Sequence, residues 1–139
     1  MNWLAARLHE LDGRHAAWRA NGGDHAVRAA FFSELGQLLQ EVAARQGVLA
    51  AFAAHDGLLV DCSGQPDTVE ALAAMAPLLL EPSQHIAEQL ELGPLQQTLI
   101  VGSQRKIALI AVGEIAIGIL SPTEVHLGAL LSRANPEAP

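Results

Sequence analysis

The sequence predicts an α+β domain: a five-stranded antiparallel sheet with helices on both faces, plus an extra helix at the N-terminus. Three observations predict it. Two apolar runs, 48–54 and 58–62, flank His55-Asp56-Gly57, which is the pattern of a β-hairpin. Three more short apolar runs, 95–101, 107–112 and 115–120, follow Gly93-Pro94 with only turn residues between them, the pattern of a meander. Helical periodicity fills the stretch before the hairpin and the stretch between hairpin and meander.

Residues 1–20 carry Leu4, Leu8, Leu11 and Trp18 on one stripe, with His15 filling the missing step. Gly13 weakens this helix by about 1 kcal/mol relative to alanine, and Asn21-Gly22-Gly23 ends it. Asp24 is placed to cap a second helix reaching about residue 46, with Val27, Phe31, Leu35, Leu38 and Val42 on its apolar face and Gly47 as its stop. In the hairpin, Asp56-Gly57 accepts the positive backbone angles of a tight turn. A loop at 63–67 leads to a long helix over 68–91. Val69, Leu72, Ala73, Ala76 and Leu80 form its apolar stripe, and Glu70, Glu81, Glu88 and Glu91 sit roughly opposite. Pro77 and Pro82 each remove a backbone donor and crowd the preceding turn, so a kink or break is expected between 76 and 83. The runs 107–112 and 115–120 are apolar at nearly every position, as in strands covered on both faces. Ser121-Pro122 ends the sheet, Thr123 is expected to cap a final helix to about residue 134, and the tail 135–139 is expected to fray. The chain thus divides into an N-terminal helical extension (1–23), one domain (24–134) and a tail.

Composition narrows the function. The chain has 139 residues, half of them hydrophobic, enough for one core without staples. A single cysteine, Cys62, rules out an internal disulfide and points to a reducing cytoplasm. With 15 acidic and 8 basic residues the net charge is −7, which argues against nucleic acid and against an anionic membrane surface. Tyrosine is absent and Phe and Trp are few, so platforms for stacking bases are missing. Arg7, His9 and Glu10 interrupt the N-terminal run where a signal peptide needs unbroken apolar sequence. No apolar stretch approaches the roughly twenty residues of a membrane span.

Catalytic and cofactor patterns are not found. There is no Gly-x-x-x-x-Gly-Lys-Ser/Thr, no Gly-x-Gly-x-x-Gly and no Gly-x-Ser-x-Gly. None of the six histidines pairs with another at the three- or four-residue spacing of a helical metal site. Cys62 follows Asp61, whose charge raises a thiol pKa, so it reads as a structural cysteine. Asp56 reads as a turn residue more simply than as half of a carboxylate pair with Asp61. No enzyme activity, cofactor or metal is expected.

Two features favour a protein partner. The run 92–104 contains no charged residue and spans the whole third predicted strand, including Gln97, Thr98, Leu99, Ile100 and Val101. As the first strand of a meander it is placed at a sheet edge, and soluble proteins normally blunt such edges with charge, proline or a bulge. Here only Pro94 guards the entry, which suggests edge-to-edge pairing with a second copy about a two-fold axis. A central position for the strand, or cover from the N-terminal helix, are the alternatives. The second feature is charge: between Arg45 and Arg105 there is no Lys or Arg, and seven acids fall in the interval. Four of them are on the predicted long helix, whose outer face can steer a basic protein surface or simply keep the chain soluble.

In order and spacing, several segments resemble the Roadblock family, the domain of a dynein light chain and of bacterial small-GTPase regulators. The segments are Gly47-Val48-Leu49-Ala50-Ala51-Phe52-Ala53 with Asp56-Gly57-Leu58-Leu59-Val60, and Leu72-Ala73-Ala74-Met75-Ala76. They continue with Ile86-Ala87-Glu88-Gln89-Leu90-Glu91-Leu92-Gly93, Gln97-Thr98-Leu99-Ile100-Val101, Ile115-Ala116-Ile117-Gly118-Ile119-Leu120 and Leu127-Gly128-Ala129-Leu130-Leu131. The resemblance covers about residues 28–134. It implies a homodimer joined through third strands, with the middle helices side by side, that binds a Ras-like small GTPase. It also implies, for MglB-type members, activation of GTP hydrolysis without a donated arginine finger. On that basis Glu70, Ala74, Glu81 and Glu88 form the face expected to meet the GTPase. Arg105, the basic residue near the sheet, reads as a loop charge. Two departures stand out: the helix prolines, and the extra N-terminal helix, which is expected to pack within the molecule. A scaffold subunit of a motor or polarity complex, and a small-ligand sensor on a similar sandwich, are the other readings; scarce aromatic and polar pocket candidates weigh against the sensor.

Overall fold

A computed structural model describes residues 3–21, 23–64 and 66–127. The elements are α1 (Trp3–Ala20), α2 (His25–Ala43), β1 (Ala50–His55), β2 (Leu58–Ser63), α3 (Pro66–Gln89), β3 (Thr98–Val101), β4 (Arg105–Val112) and β5 (Ile115–Pro122). The strands form one antiparallel sheet in the order β2-β1-β5-β4-β3.

Local chemistry sets the element ends. The Asp24 carboxylate accepts from the backbone N–H groups of Ala26 and Val27, capping α2. The hairpin turn has φ of 51° at Asp56 and 80° at Gly57, both positive as a two-residue turn of this hand requires. Gly13 leaves α1 unbroken, and nothing lies within 4 Å of where its Cβ would be.

The central strands are buried on both faces because their residues alternate between two cores. On one side Ala51, Ala53, Ala108, Ile110, Val112, Ile115, Ile117 and Ile119 meet α1 and α2. On the other, Ala50, Phe52, Ala54, Ile107, Leu109, Ala116 and Leu120 meet α3. α1 packs on α2 and β4, so the N-terminal extension lies within the molecule, as expected. Arg45, just past α2, is 2% exposed, with its guanidinium 3.9 Å from the Trp3 ring centre. Burial lowers its pKa from the ordinary arginine value, and nearby Glu41 opposes the shift.

Four expectations need correction. The break at Pro77 and Pro82 does not occur: α3 runs as one helix of 24 residues. Val69, Ala73, Ala76, Leu80 and Ala87 are buried on both sides of the prolines, and this packing outweighs two lost backbone bonds. The helix stops at Gln89, so Glu91 lies outside it, at φ 55°. Arg105 opens β4, opposite Pro122, and is not in the turn. Thr123 caps no helix, since residues 123–126 are turn and irregular and the first helical residue is Leu127; its hydroxyl donates to the Gly102 carbonyl at 2.6 Å, and its N–H to the Gln104 carbonyl at 3.1 Å. The rest of the predicted final helix, beyond Leu127, and the 135–139 tail lie outside the described residues.

Two substitutions probe this packing. A Cβ on Gly118 would stand 2.2 Å from the Phe52 ring across the β1–β5 ladder. Gly118→Ala is therefore expected to lower the unfolding free energy by about 1–3 kcal/mol, read as a reduced urea midpoint. Pro82 is exposed within α3. Pro82→Ala restores a helical donor and is expected to stabilise by up to about 3 kcal/mol; a loss of stability would mean the local backbone shape set by proline is needed.

Candidate functional site

The sheet has two edges, and the chain treats them differently. Along β2, the register to β1 jumps between Ala53 and Ala54, leaving Val60 as an extra, bulged residue. Beside it stands Asp61, whose carboxylate accepts from the Cys62 N–H and lies 3.1 Å from where a Cβ on Gly36 would be. A bulge and a charge therefore blunt this edge, and a glycine in α2 makes room for the charge. Cys62 is a free, half-buried thiol on the α3 side.

Along β3 neither device is present. Thr98, Leu99, Ile100 and Val101 pair in unbroken register with Leu109, Ala108, Ile107 and Lys106 of β4, and among the described residues no strand pairs with its outer side. The strand is shorter than the sequence suggests: Gln97 and the two residues before it lie outside the ladder, and Gln97 is exposed. Thr98 and Ile100 share the α3 side with Leu109 and Ile107, while Leu99 and Val101 share the other side with Ala108. Leu99, Ile100 and Val101 are 47, 42 and 57% exposed, so neither α1 nor α3 covers them. The N-terminal helix thus leaves the edge open.

Next to this edge, α3 touches β3 and presents two exposed flanks. Glu70, Ala74, Glu81 and Glu88 are all exposed and recur at spacings that place them on one line of a 3.6-residue helix. The four residues of the sequence-predicted partner face thus share one exposed flank of α3, with three carboxylates. A second flank escaped the sequence reading. Met75, Leu78 and Ile86 are 50, 69 and 54% exposed and fall on their own line with Pro82. Its signal was present, as apolar residues at spacings of three and four, but was hidden inside the continuous apolar run around it. Soluble monomers seldom expose such a stripe beside an open strand.

Among the described residues no three or more His, Cys, Asp or Glu side chains converge to hold a metal ion. Among them too, no helix is long and apolar enough to cross a membrane.

This arrangement has known counterparts. A sequence model of the Roadblock/LC7 domain matches residues 34–121. The chain belongs to the Roadblock/LC7 family. Its fold is similar to that of a Roadblock/LC7 domain from Streptomyces avermitilis, with a TM-score of 0.62 at 18% identity over 68% of this chain and 83% of that one. It is also similar to Myxococcus xanthus MglB, with a TM-score of 0.62 at 14% identity over 70% and 82% of the two chains. The gliding protein MglB of Thermus thermophilus gives a TM-score of 0.58 at 17% identity over 66% and 73%. No curated protein matches the sequence. The matched Roadblock/LC7 residues begin inside α2, so α1 and the start of α2 lie ahead of them.

Proposed function

We propose that this Roadblock/LC7 protein is a homodimeric, non-catalytic regulator or adaptor that binds a Ras-like small GTPase in the cytoplasm. The observation that carries the reading is the unguarded β3 edge on a domain of this family, set against the blunted β2 edge of the same sheet. Two copies joined antiparallel through β3 satisfy the outward backbone groups of both strands. The pairing would also bring the exposed apolar flanks of α3 toward the seam, where they can be buried. The acidic line of Glu70, Ala74, Glu81 and Glu88 then remains on the outside, a one-sign surface that attracts a basic rim on a partner. MglB, which this fold resembles, has been solved in a tetrameric arrangement, which fits association as a habit of the fold.

The seam is tested by sedimentation at low micromolar concentration. Wild type is expected to be dimeric and Leu99→Lys monomeric but folded, because the lysine sits at the seam with no acid to pair with; a variant that remains wholly dimeric excludes β3 as the seam. Function is tested with candidate Ras-like GTPases from the same genome, by single-turnover GTP hydrolysis with and without this protein. A faster rate identifies an activator, a stable complex at unchanged rate identifies an adaptor, and the absence of any complex overturns the GTPase reading. Charge reversal, Glu81→Lys with Glu88→Lys, is expected to weaken the complex about tenfold at low salt while the dimer persists.

A further inference from the structure

The aromatic residues of this chain are few, yet three of the five are gathered in one place. Trp18 and Phe31 have ring centres 5.5 Å apart, and Phe32 lies 5.2 Å from Phe31 and 5.5 Å from Trp18. His15 joins them edge-on, 5.7 Å from Trp18 and 5.4 Å from Phe31. Beside this cluster is a cavity of about 510 Å³, lined by His15, Trp18, Arg28 and Phe32 on the helices and by His55, Val60, Glu114 and Ile115 on the sheet. That volume is in the range of small-molecule sites.

Three observations give the cavity a chemistry. His15 is 7% exposed, and its Nε2 is buried without a hydrogen-bond partner. A ring nitrogen left so is unfavourable unless something supplies a partner. Its position is also built: a Cβ on Gly113 would come within 2.2 Å of the His15 ring, so only a glycine in the β4–β5 turn, at φ 59°, admits it. The guanidinium of Arg28 stands 5.3 Å from the Phe32 ring centre and 6.0 Å from that of Trp18. Arg7, Arg14 and Arg19 each pair with a carboxylate, whereas Arg28 pairs with none among the described residues. The acid in the lining, Glu114, is already matched: it pairs with Arg19 and lies 3.5 Å from His55. Arg19 holds the Glu114 carboxyl below the usual carboxylate range, first through their hydrogen bond.

We propose that this cavity is a binding site for a flat aromatic organic anion, its ring against Trp18, Phe32 and the His15 ring, and its charged group on Arg28. A cation above aromatic faces, with no acid of its own, is suited to such a ligand. The site goes beyond the GTPase reading and does not depend on it. His15, Trp18, Arg28 and Phe32 all precede residue 34, where the matched Roadblock/LC7 residues begin, so α1 and the start of α2 contribute one wall and the matched residues the other. This gives α1 a role other than cover. The larger cavity between α1 and residues 92–97, about 700 Å³, has no charged side chain in its lining and defines no ligand in the same way.

The test uses the full ¹⁵N-labelled chain titrated with 2-naphthoate, with uncharged 2-naphthalenemethanol as the comparison. The indole N–H signal of Trp18 is expected to shift saturably with one site per chain. The Trp3 signal, at Arg45 and outside the cavity lining, is expected to stay in place. Arg28 is exposed, so Arg28→Gln is expected to keep the wild-type melting curve. It should weaken naphthoate about tenfold and leave the uncharged probe unchanged. Absence of a saturable Trp18 shift overturns the site. Equal naphthoate affinity in both proteins, or parallel shifts of both indoles, overturns the anion assignment.

Discussion

Every other feature of this molecule depends on a sheet thin enough to be packed from both sides. Ala50, Ala51, Ala53 and Ala54 of β1 are all within 2% of full burial, and β5 is buried from Ile115 to Ser121. Small side chains along β1 let α2 approach one face and α3 the other, and its one large buried residue, Phe52, is accommodated by the missing side chain of Gly118. With both faces closed by helices, the edges are what the sheet has left to offer. One is closed by a bulge and an acid, and the other pairs with no strand among the described residues.

α3 shows how tertiary packing overrules local preference. Two prolines inside a helix remove donors that an isolated peptide could not do without. Here a buried stripe from Val69 to Ala87 holds the helix against the sheet on either side of them. Ser83 also donates its hydroxyl to the Leu79 carbonyl at 2.8 Å, one turn back. The helix therefore keeps its acidic line and its apolar line continuous over a length that a break would have divided. Both lines lie on α3, so the surface proposed for self-association and the surface proposed for a partner belong to one helix.

The N-terminal helix is a layer added to the Roadblock/LC7 fold. Its apolar side is spent on α2 and β4, and Arg7 secures it through Glu34 and Glu41 of α2. That placement leaves β3 uncovered and puts His15 and Trp18 beside the β4–β5 turn. The proposed dimer seam at β3 and the proposed aromatic site therefore lie at different places on the sheet.

The sequence by itself determined what short-range chemistry controls. The Asp56-Gly57 hairpin, the Asp24 cap, the doubly covered β4 and β5 and the uncharged third strand were legible because each rests on a few adjacent residues and on period-two burial. The acidic line on α3 was legible for the same reason, since helical spacing alone places it. Only the tertiary structure decided that α3 passes through its prolines, that β3 begins at Thr98, and that Thr123 ties β5 to the β3–β4 turn. The same holds for His15 meeting the β4–β5 turn at Gly113 while its ring joins Trp18 and Phe31. Each of these outcomes is settled by contacts between residues distant in the chain, and the packing free energy of such contacts exceeds the local preferences that a sequence displays.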